Sequence, residues 1–470
     1  MNNVIFSLKL LIENQELRVS ELSIYETLSC NFYMKLQLLL EKPWNDPGLL
    51  VGKITSLKIT INENQRYWNG FIYRVKSSLF PNQEGFYELK LILSSWLSLF
   101  NESCEYQIFE NKTALEIMQV LFKDYSFCQF DSTKLTKQLM PIKYCVQYQE
   151  SRYQFIRRLL VDQHIYFYFT HSENNHRLVL LDQPALALEE LDENLFWQWH
   201  EHFSLANQTN YSSANSAHLG LHAGIRFNCA QQNYHITQIT HYAYDKSHTN
   251  QSTRITDLTQ SYYNHWHAQK GSSLPKRYIR SKFKMTTIQT AQITDLTPGG
   301  VKLAYRWNSQ PTQHEAPLLH VLADTKQQMQ FAPQIGTEVL VGYQNGDMEE
   351  PLVLAACYNV EHPTPFQAQS ENWHCGFKAI TSTGQSAMIF NNTPGTEELV
   401  LQAARGLQQQ IGLKQSSIIQ GGYQHHSISA QLEGKRIVIK ACQISLQAGS
   451  SLIKLSPREI LIQGNHIRLN

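Results

Sequence analysis

Two short histidine pairs have the spacing that a metal ion could use. They are His200-Glu201-His202 and His265-Trp266-His267. On a β-strand, residues i and i+2 share a face, so each pair could offer two imidazole ligands together. A metal site would also need further ligands and partners that orient the rings. Both pairs lie in polar, linker-like stretches, and we interpret them as surface histidines.

The other candidate groups have poorer geometry for chemistry. His425-His426, Glu349-Glu350 and Glu397-Glu398 are adjacent pairs, so on a strand their side chains would point to opposite faces. Solvated side chains are the simpler interpretation of these pairs. The chain has no GxSxG, HExxH, P-loop or Rossmann glycine motif. We therefore predict a protein that is not an enzyme, with no catalytic residues, no cofactor and no metal.

Length and charge narrow the classes of function. The 470 residues are enough for roughly three domains. Lys and Arg together number 40 and Asp and Glu 39, so the formal net charge is +1. A protein held on nucleic acid by phosphate contacts would need a basic surplus, and we expect no nucleic-acid partner. The 8 cysteines form no CxxC pair, which is typical of free thiols in a reducing cytoplasm.

The amino-terminal segment is predicted to be a strand. Its apolar residues are interrupted by Lys9, and it lacks the basic start and the cleavage site of a signal peptide. No apolar run reaches the roughly 20 residues that a membrane span needs. We expect no membrane span, and an export route other than general secretion if the protein leaves the cell.

Residues 1–285 have the pattern of a mixed α+β domain with more strand than helix. Strands are predicted at Thr55–Ile61, Gly70–Val75, Tyr87–Leu93 and Ile165–Phe169. A helix is predicted over Tyr153–Asp162, and another begins at Thr113, where Glu116 completes a capping box. The polar stretches 202–217 and 244–260 are interpreted as connections.

The next segment, 286–360, has the pattern of a small all-β unit. Strand candidates are Thr287–Thr294, Val301–Tyr305, Leu318–Leu322, Glu338–Tyr343 and Leu352–Tyr358. Short strands of this number, separated by glycine-containing turns, suit a Greek-key barrel of the OB type. A stiff neck with two prolines follows at 361–366.

The last third of the chain is a ladder of very short alternating strands. Its clearest rungs carry Ile437, Ile439, Ile444, Leu446, Ala448, Ile453, Leu455, Ile460, Ile462, Ile467 and Leu469. Mostly polar residues lie between these positions, so each rung has one narrow apolar stripe. Copies of the chain around an axis would cover the stripe, which predicts an intertwined β-prism. The same alternation points His466 outward, so we expect no axial metal there.

Several segments carry a family likeness in the same order along the chain. The most specific is Gln147–Leu160 (QYQESRYQFIRRLL), followed by Tyr166–Phe169. The others are Arg66–Arg74 (RYWNGFIYR), Ile108–Thr113, Val301–Trp307, Pro333–Val341, Gly346–Asn359 and the rungs up to Gly464-Asn465. Together they resemble VgrG, the spike of the type VI secretion system, which is related to the hub and spike of contractile phage tails. The resemblance covers essentially the whole chain.

The resemblance implies a fold class and a division into domains. We expect a mainly β protein with an α+β hub, in which 1–285 form a phage-hub-like base with barrels and 286–360 an OB-fold barrel. Residues 361–470 would form a neck and a trimeric, triple-stranded β-helix or β-prism spike. The resemblance also implies a homotrimer whose base binds an Hcp-like inner-tube hexamer and baseplate proteins. Its tip, with Ile467, Leu469 and Asn470, would bind a PAAR-type cap or an effector.

The function implied is mechanical: a structural spike of a contractile injection apparatus that punctures target envelopes. Such a protein is cytoplasmic when assembled, and is then exported without a signal peptide to the exterior or into the target cell. One alternative is a phage or prophage baseplate hub and spike, which shares this architecture. Another is a β-helical polysaccharide-degrading enzyme, which would need paired acids along a groove, and no such pair stands out.

Overall fold

The chain forms two compact units, Met1–Thr364 and Pro365–Asn470. The structure is a computed structural model that describes residues 6–12, 15–183, 189–203, 211–245, 261–271, 284–308, 310–318, 333–360, 363–366, 374–427, 429, 431, 433–434 and 436–467. Among these residues, every buried side chain lies in the first unit. Short 3-10 helices lie at Pro47–Leu50, Trp96–Phe100, Glu193–Leu195 and Gln344–Gly346.

The first strands of the chain close into a barrel. They are β1 (Phe6–Ile12), β2 (Gln15–Thr27), β3 (Tyr33–Leu40), β4 (Ile54–Ile61), β5 (Asn64–Ser77) and β6 (Tyr87–Ser94). Their order is β1-β4-β5-β6-β3-β2, and β1 also pairs with β2, which closes a 6-strand antiparallel barrel. Alternation favours this closure: Met34, Leu36 and Leu38 of β3 are buried, whereas the residues between them are more exposed. Closure removes the sheet edge that an open sheet would expose.

Two helices and two small sheets follow the barrel. The elements are β7 (Glu105–Lys112), α1 (Ala114–Phe122), β8 (Phe130–Lys134), β9 (Ile142–Glu150), α2 (Arg152–Asp162), β10 (Tyr166–His171) and β11 (His176–Leu181). Each helix begins with a capping box, formed by Thr113 with Glu116 in α1 and by Ser151 with Gln154 in α2. These contacts confirm the predicted start of α1. The buried residues of α2 belong to the same apolar core as those of the barrel.

The sheet that forms the barrel continues outward through six further strands, which we call the second sheet. Its strands are β12 (Glu189–Glu190), β13 (Phe196–His202), β14 (Tyr211–Ser216), β15 (Arg226–Cys229), β16 (Gln232–Tyr244) and β17 (Tyr262–Lys270). β16 pairs with β2 of the barrel, and the order continues as β16-β17-β14-β13. Phe227 and Trp266 are fully buried in the core of this sheet. We call the region from β1 to β17 the hub region.

Part of the sequence interpreted as connection or linker is strand. β14 occupies 211–216 of the stretch 202–217, and the histidine pairs lie within β13 and β17. The prediction was wrong there because β14 buries Ser212, Ser213 and Ser216, so it has no apolar alternation to detect. Residues 246–260 of the second polar stretch lie outside the described part of the chain.

A small barrel follows the hub region. Its strands are β18 (Gln289–Thr297), β19 (Gly300–Tyr305), β20 (Glu315–Ala316), β21 (Glu338–Tyr343) and β22 (Pro351–Ala356), in the order β20-β19-β18-β21-β22. A parallel bridge between Leu318 and Val353 joins the two ends of this 5-stranded sheet. Of the predicted strand Leu318–Leu322, only Leu318 lies in the described part of the chain. The five-stranded arrangement is that of an OB fold.

Side chains from β7 and β9 fasten the small barrel to the hub region. The Glu110 carboxylate accepts hydrogen bonds from the backbone N–H groups of residues 313–314 at 2.7 Å each. The Tyr148 hydroxyl accepts one from Gln289 Nε2 at 2.7 Å, and the Tyr148 ring packs edge-on against Trp307 with 5.2 Å between centroids. The two domains therefore share a junction that is both apolar and hydrogen-bonded.

The described residues of the second unit form two 3-stranded sheets. Their strands are β23 (His374–Thr381), β24 (Gly384–Asn391), β25 (Glu398–Gln402), β26 (Ile444–Ala448), β27 (Ser451–Leu455) and β28 (Ile460–Gln463). The predicted rung at Ile437 and Ile439 forms no strand in the described residues of this chain. An alternating segment becomes a strand only where another strand pairs with it, and no described strand of the same copy pairs with these two residues.

His176 lies within the apolar core of the hub region. It is 1% exposed, and its Nε2 accepts a hydrogen bond from the Trp96 backbone N–H at 3.0 Å. The rings of Phe32 and Phe169 pack against it. Burial lowers the pKa of His176 to about 3, and it also lowers the pKa of His171 well below its ordinary value. Both imidazoles are therefore neutral at pH 7.

We expect the hub region to lose stability as the pH falls from about 6.5 toward 3. In the unfolded chain His176 takes up a proton below its ordinary pKa of about 6.5, whereas in the folded chain it stays neutral until about pH 3, so acid favours unfolding. The contribution is about 1.4 kcal/mol per pH unit well inside that window. Urea unfolding at pH 7 and pH 5 should show a smaller acid-induced loss for His176→Gln than for the wild type.

The matched control for this prediction is His425→Gln, which changes an exposed histidine of the second unit. This variant should follow the wild-type pH dependence. Equal pH dependence in the His176→Gln variant and the wild type would contradict the assignment.

Candidate functional site

The C-terminal unit gathers apolar side chains on one face of β26, β27 and β28. Cross-strand partners on this face are Ile444, Leu455 and Ile460 in one row, and Leu446, Ile453 and Ile462 in the next. We call these six residues the β26–β28 face. The opposite face is mostly polar and includes Ser445 beside Lys454. The alternation predicted for these three strands is confirmed, with a turn at Gly449, where φ is +58°.

The other sheet of this unit has a comparable surface. Phe377, Met388 and Leu401 form one row of cross-strand partners, and Phe390 and Leu399 form the next. We call these five residues the β23–β25 face. Phe377 is 49% exposed and Leu401 59%. Aromatic and long aliphatic side chains at such positions normally pack against another layer.

No described residue of 374–467 is buried. On the β26–β28 face, Leu446 is 57% exposed and Ile460 70% exposed. Full burial of one such side chain stabilises a protein by about 1.5–3 kcal/mol, and one copy of this unit gains little of that. A contiguous apolar surface on a unit whose described residues are all at least partly exposed is typical of an interaction surface.

The predicted tip residues lie at or beyond the last described residue, Ile467. Ile467 is 52% exposed and follows β28, and His466 beside it is also exposed. Leu469 and Asn470 lie outside the described residues. His425 and His426 are exposed and lie outside the described strands.

A buried carboxylate links the barrel to the second sheet, and no motif in the sequence points to it. Glu26 in β2 is 6% exposed. Its carboxylate accepts hydrogen bonds from Trp68 Nε1 at 2.8 Å and from the Ala223 backbone N–H at 3.2 Å. Arg66 Nη2 lies 3.5 Å from the same carboxylate. Donors from separate parts of the chain thus satisfy a charge whose burial would otherwise be unfavourable.

Arg66 is also held by the loop before β15. Its Nη1 donates to two backbone carbonyls of the loop 219–221 at 2.6 Å each, and its guanidinium lies 4.2 Å from the Trp68 ring centroid. His241 Nε2 lies 3.7 Å from Glu26. Burial, together with the charge of Arg66, lowers the pKa of His241 well below its ordinary value. The cluster therefore contains the Glu26 carboxylate, the Arg66 guanidinium and a neutral imidazole. Their contacts stabilise the packing of the barrel against the loop 219–221 and the second sheet.

The two histidine pairs come together on the outer face of the second sheet. His200 and His202 lie in β13, and His265 and His267 lie in β17, with β14 between these strands. The sequence alone does not relate the two pairs to each other. They come together because β14 pairs with β13 on one side and with β17 on the other, and β13 and β17 are far apart in the chain.

Residues 25–276 match the family described as the phage tail baseplate hub (GPD), and residues 292–358 match the type VI secretion system/phage-baseplate injector OB domain. The first match covers more than half of the chain. This chain belongs to the phage tail baseplate hub (GPD) family. The second match coincides with the small barrel, so the OB assignment is confirmed as well.

Several relatives of this chain are named as type VI secretion system spike proteins. Type VI secretion system spike protein VgrG1b of Pseudomonas aeruginosa is 22% identical over 480 residues, covering 81% of this chain and 64% of the relative. VgrG1c of the same organism is 28% identical over 202 residues, covering 39% of this chain and 27% of the relative. The resemblance to VgrG is thereby confirmed. This chain spans 64% of the length of the first relative and 27% of the second.

Solved structures share the hub fold. An E. coli protein described as a component of the type VI secretion system, similar in structure to the phage T4 tail proteins gp27 and gp5, has a TM-score of 0.59 at 17% identity. The match covers 75% of this chain and 100% of that one. The Francisella PdpA-VgrG complex, half-lidded, gives 0.59 at 10% identity, covering 98% and 87%. These likenesses establish a mainly β fold with the architecture of tail hubs.

No helix in the described residues is both long and apolar enough to cross a membrane.

Loss of Arg66 should strongly destabilise the hub region. Arg66→Met leaves the buried Glu26 carboxylate without its cation, and removing one partner of a buried pair costs about 3–5 kcal/mol. In the double variant with Glu26→Gln, the loss should be smaller than the sum of the two single losses, because the unpaired charge is gone. Guanidinium unfolding followed by tryptophan fluorescence measures all three.

Lys9→Met is the control for Arg66→Met. Lys9 pairs with Glu16 at 2.7 Å, but the two side chains are 48% and 55% exposed, so the loss of this pair should cost only about 0–1 kcal/mol. Strictly additive losses at Glu26 and Arg66 would show that the two side chains do not act together.

Proposed function

We propose that three copies of this chain form the spike of a type VI secretion apparatus, with their C-terminal units wound together into a β-prism. The observation that carries the proposal is that no described residue of 374–467 is buried, although both sheets present apolar faces. Copies arranged around one axis would cover the β26–β28 face and the β23–β25 face with each other. The resemblance to VgrG supports three as the number of copies.

The proposed spike works mechanically. Rungs contributed by three copies would bury apolar side chains between chains and pair their backbone groups, which gives a stiff rod without open sheet edges. We keep the division into a base at 1–285, an OB barrel at 286–360 and a neck and spike at 361–470 as part of the proposal. Contraction of a sheath, supplied by partner proteins, would drive the rod through a target envelope.

The partners follow from the same resemblance. The base would bind an Hcp-like hexamer of the inner tube and baseplate proteins, and the tip would bind a PAAR-type cap or an effector. Ile467, Leu469 and Asn470 are the proposed tip residues, and the exposure of Ile467 is compatible with that position. The protein would be cytoplasmic during assembly and would then be exported without a signal peptide.

The two alternatives have less support. A phage or prophage hub shares the fold, but VgrG1b and VgrG1c are both named as type VI secretion spike proteins. A polysaccharide-degrading enzyme would need paired acids lining a groove. Glu349 instead lies 3.4 Å from Arg158 and serves an ion pair, and Glu397 and Glu398 are exposed.

We expect Leu446→Glu to prevent assembly of the C-terminal units. The substitution puts a charge on the β26–β28 face, where the proposed trimer would bury it without a partner. Ser445→Glu is the matched control, because it puts the same charge on the neighbouring residue of the same strand but on the polar face. Light scattering coupled to size-exclusion chromatography should give a trimer for the wild type and Ser445→Glu, and smaller species for Leu446→Glu.

Two results would count against the spike. A monodisperse monomer of the wild-type chain at high concentration would mean that the apolar faces are covered within one copy. A trimer that is equally stable in Leu446→Glu and Ser445→Glu would mean that the β26–β28 face lies outside the interface.

A further inference from the structure

The outer face of the second sheet carries two histidines with the geometry of a chelating pair. His265 and His267 of β17 share the half-exposed face, since Asn264, Trp266 and Ala268 are buried on the other face. The Nε2 atoms of the two rings lie 3.2 Å apart. Two nitrogens bound at about 2.0–2.1 Å to one tetrahedral zinc ion are about 3.3 Å apart. The pair thus already has the ligand spacing of such an ion.

Hydrogen bonds around the pair determine which nitrogen of His265 carries the proton. Asn215 in the adjacent β14 donates through Nδ2 to Gln198 Oε1 at 2.5 Å, so its Oδ1 faces His265 Nδ1 at 2.8 Å. An amide oxygen can only accept, so Nδ1 carries the hydrogen and Nε2 presents a lone pair toward His267. A hydrogen-bond acceptor behind the ring is the arrangement that orients metal-bound histidines in proteins.

The surroundings keep both rings neutral and in place. Partial burial lowers the pKa of His265 and of His267. Electrostatic interaction with His202 and His200 lowers the pKa of His265 further, and interaction with His265 and His202 lowers that of His267 further. His202 Nε2 lies 2.9 Å from Ser213 Oγ, and its ring stacks on Tyr211 with 4.4 Å between centroids. A neutral imidazole is the form that binds metal, so both rings are ready to act as ligands at pH 7.

We propose that His265 and His267 bind one divalent transition-metal ion of the zinc or copper class, with Asn215 as the residue that positions His265. The described part of the chain contains no group of three or more His, Cys, Asp or Glu side chains arranged to hold a metal ion. Water would therefore complete the coordination. Imidazole nitrogen favours copper, nickel and zinc, whereas magnesium and calcium prefer oxygen ligands. The ion would connect the two rings and stiffen the outer face of the sheet.

The competing explanation is a direct hydrogen bond between two neutral rings, in which His267 Nε2–H donates to His265 Nε2. The two explanations differ in what added metal does. In a chelate the proton of His267 is on Nδ1, and the Nε2 atoms of both rings bind the ion. A pair that only shares a hydrogen bond gives metal no preference for this site over any other surface histidine.

Zinc binding to the full-length chain tests the proposal. The protein is treated with EDTA, dialysed and titrated calorimetrically with zinc chloride at pH 7, with magnesium chloride as the metal control. Wild type should bind one more zinc ion per chain than the double variant His265→Gln/His267→Gln, and magnesium should not bind. Asn215→Leu should keep the site but weaken its zinc affinity by about 10–100-fold. His200→Gln, in β13 on the far side of β14, is the matched control and should keep the wild-type stoichiometry.

Copper and NMR provide readouts that do not depend on the folding of a variant. Copper(II) should bind more tightly than zinc and give nitrogen couplings from two imidazoles in its electron paramagnetic resonance spectrum. Zinc should shift the ring resonances of His265 and His267 in the wild-type chain. Equal zinc binding by the wild type and the double variant would overturn the proposal, and so would ring resonances of this pair that do not move with zinc. Both results are independent of whether the chain forms a trimer.

Discussion

A carboxylate kept away from water must be surrounded by donors, and this requirement at Glu26 determines how the hub region is arranged. One donor comes from Trp68 in β5 and another from the backbone of Ala223, and Arg66 supplies the opposite charge. β2, the barrel strand that carries Glu26, pairs with β3 of the barrel on one side and with β16 of the second sheet on the other. Barrel, loop and second sheet therefore meet at one charge. Displacing any of them would leave that charge unpaired in a medium where this is costly.

The two units of the chain obtain order in different ways. The hub region closes a barrel on itself and fills it with Leu, Ile and aromatic side chains, so its core belongs to a single copy. The small barrel follows the same principle and is fastened through Glu110 and Tyr148. The C-terminal unit has regular strand pairing but no buried residue among those described. Pairing gives the backbone its hydrogen bonds, and the apolar faces still need a covering layer.

Much of the fold could be predicted because local patterns report local structure. Strict alternation of apolar and polar residues predicts β26, β27 and β28, and the capping box predicts the start of α1 at Thr113. The serine-rich β14 was missed because its inward residues are small and polar, so the period that marks a strand is absent. The rung at Ile437 shows the converse: the pattern is present, but among the residues that the structure describes no strand pairs with it.

The candidate sites were harder to predict because they join distant positions. Arg66 and Trp68 lie in a segment that was recognised for its likeness to VgrG, yet nothing in it points to Glu26 in another strand. The histidine pairs were noticed from their spacing. Their meeting on one face depends on β14 lying between β13 and β17, and on the ring orientation that Asn215 imposes on His265. Sheet order of this kind is a tertiary property that no local period encodes.

If the trimer forms as proposed, the apolar faces of the C-terminal unit make the folding of that unit dependent on concentration. A core shared between copies forms only when the copies meet, so its stability rises with the amount of chain present, whereas that of the hub region does not. Under the proposed trimer, a newly made chain has a folded hub region and a C-terminal unit that is not yet folded. A lone or damaged copy cannot fold this unit by itself, so only intact copies that meet complete the assembly.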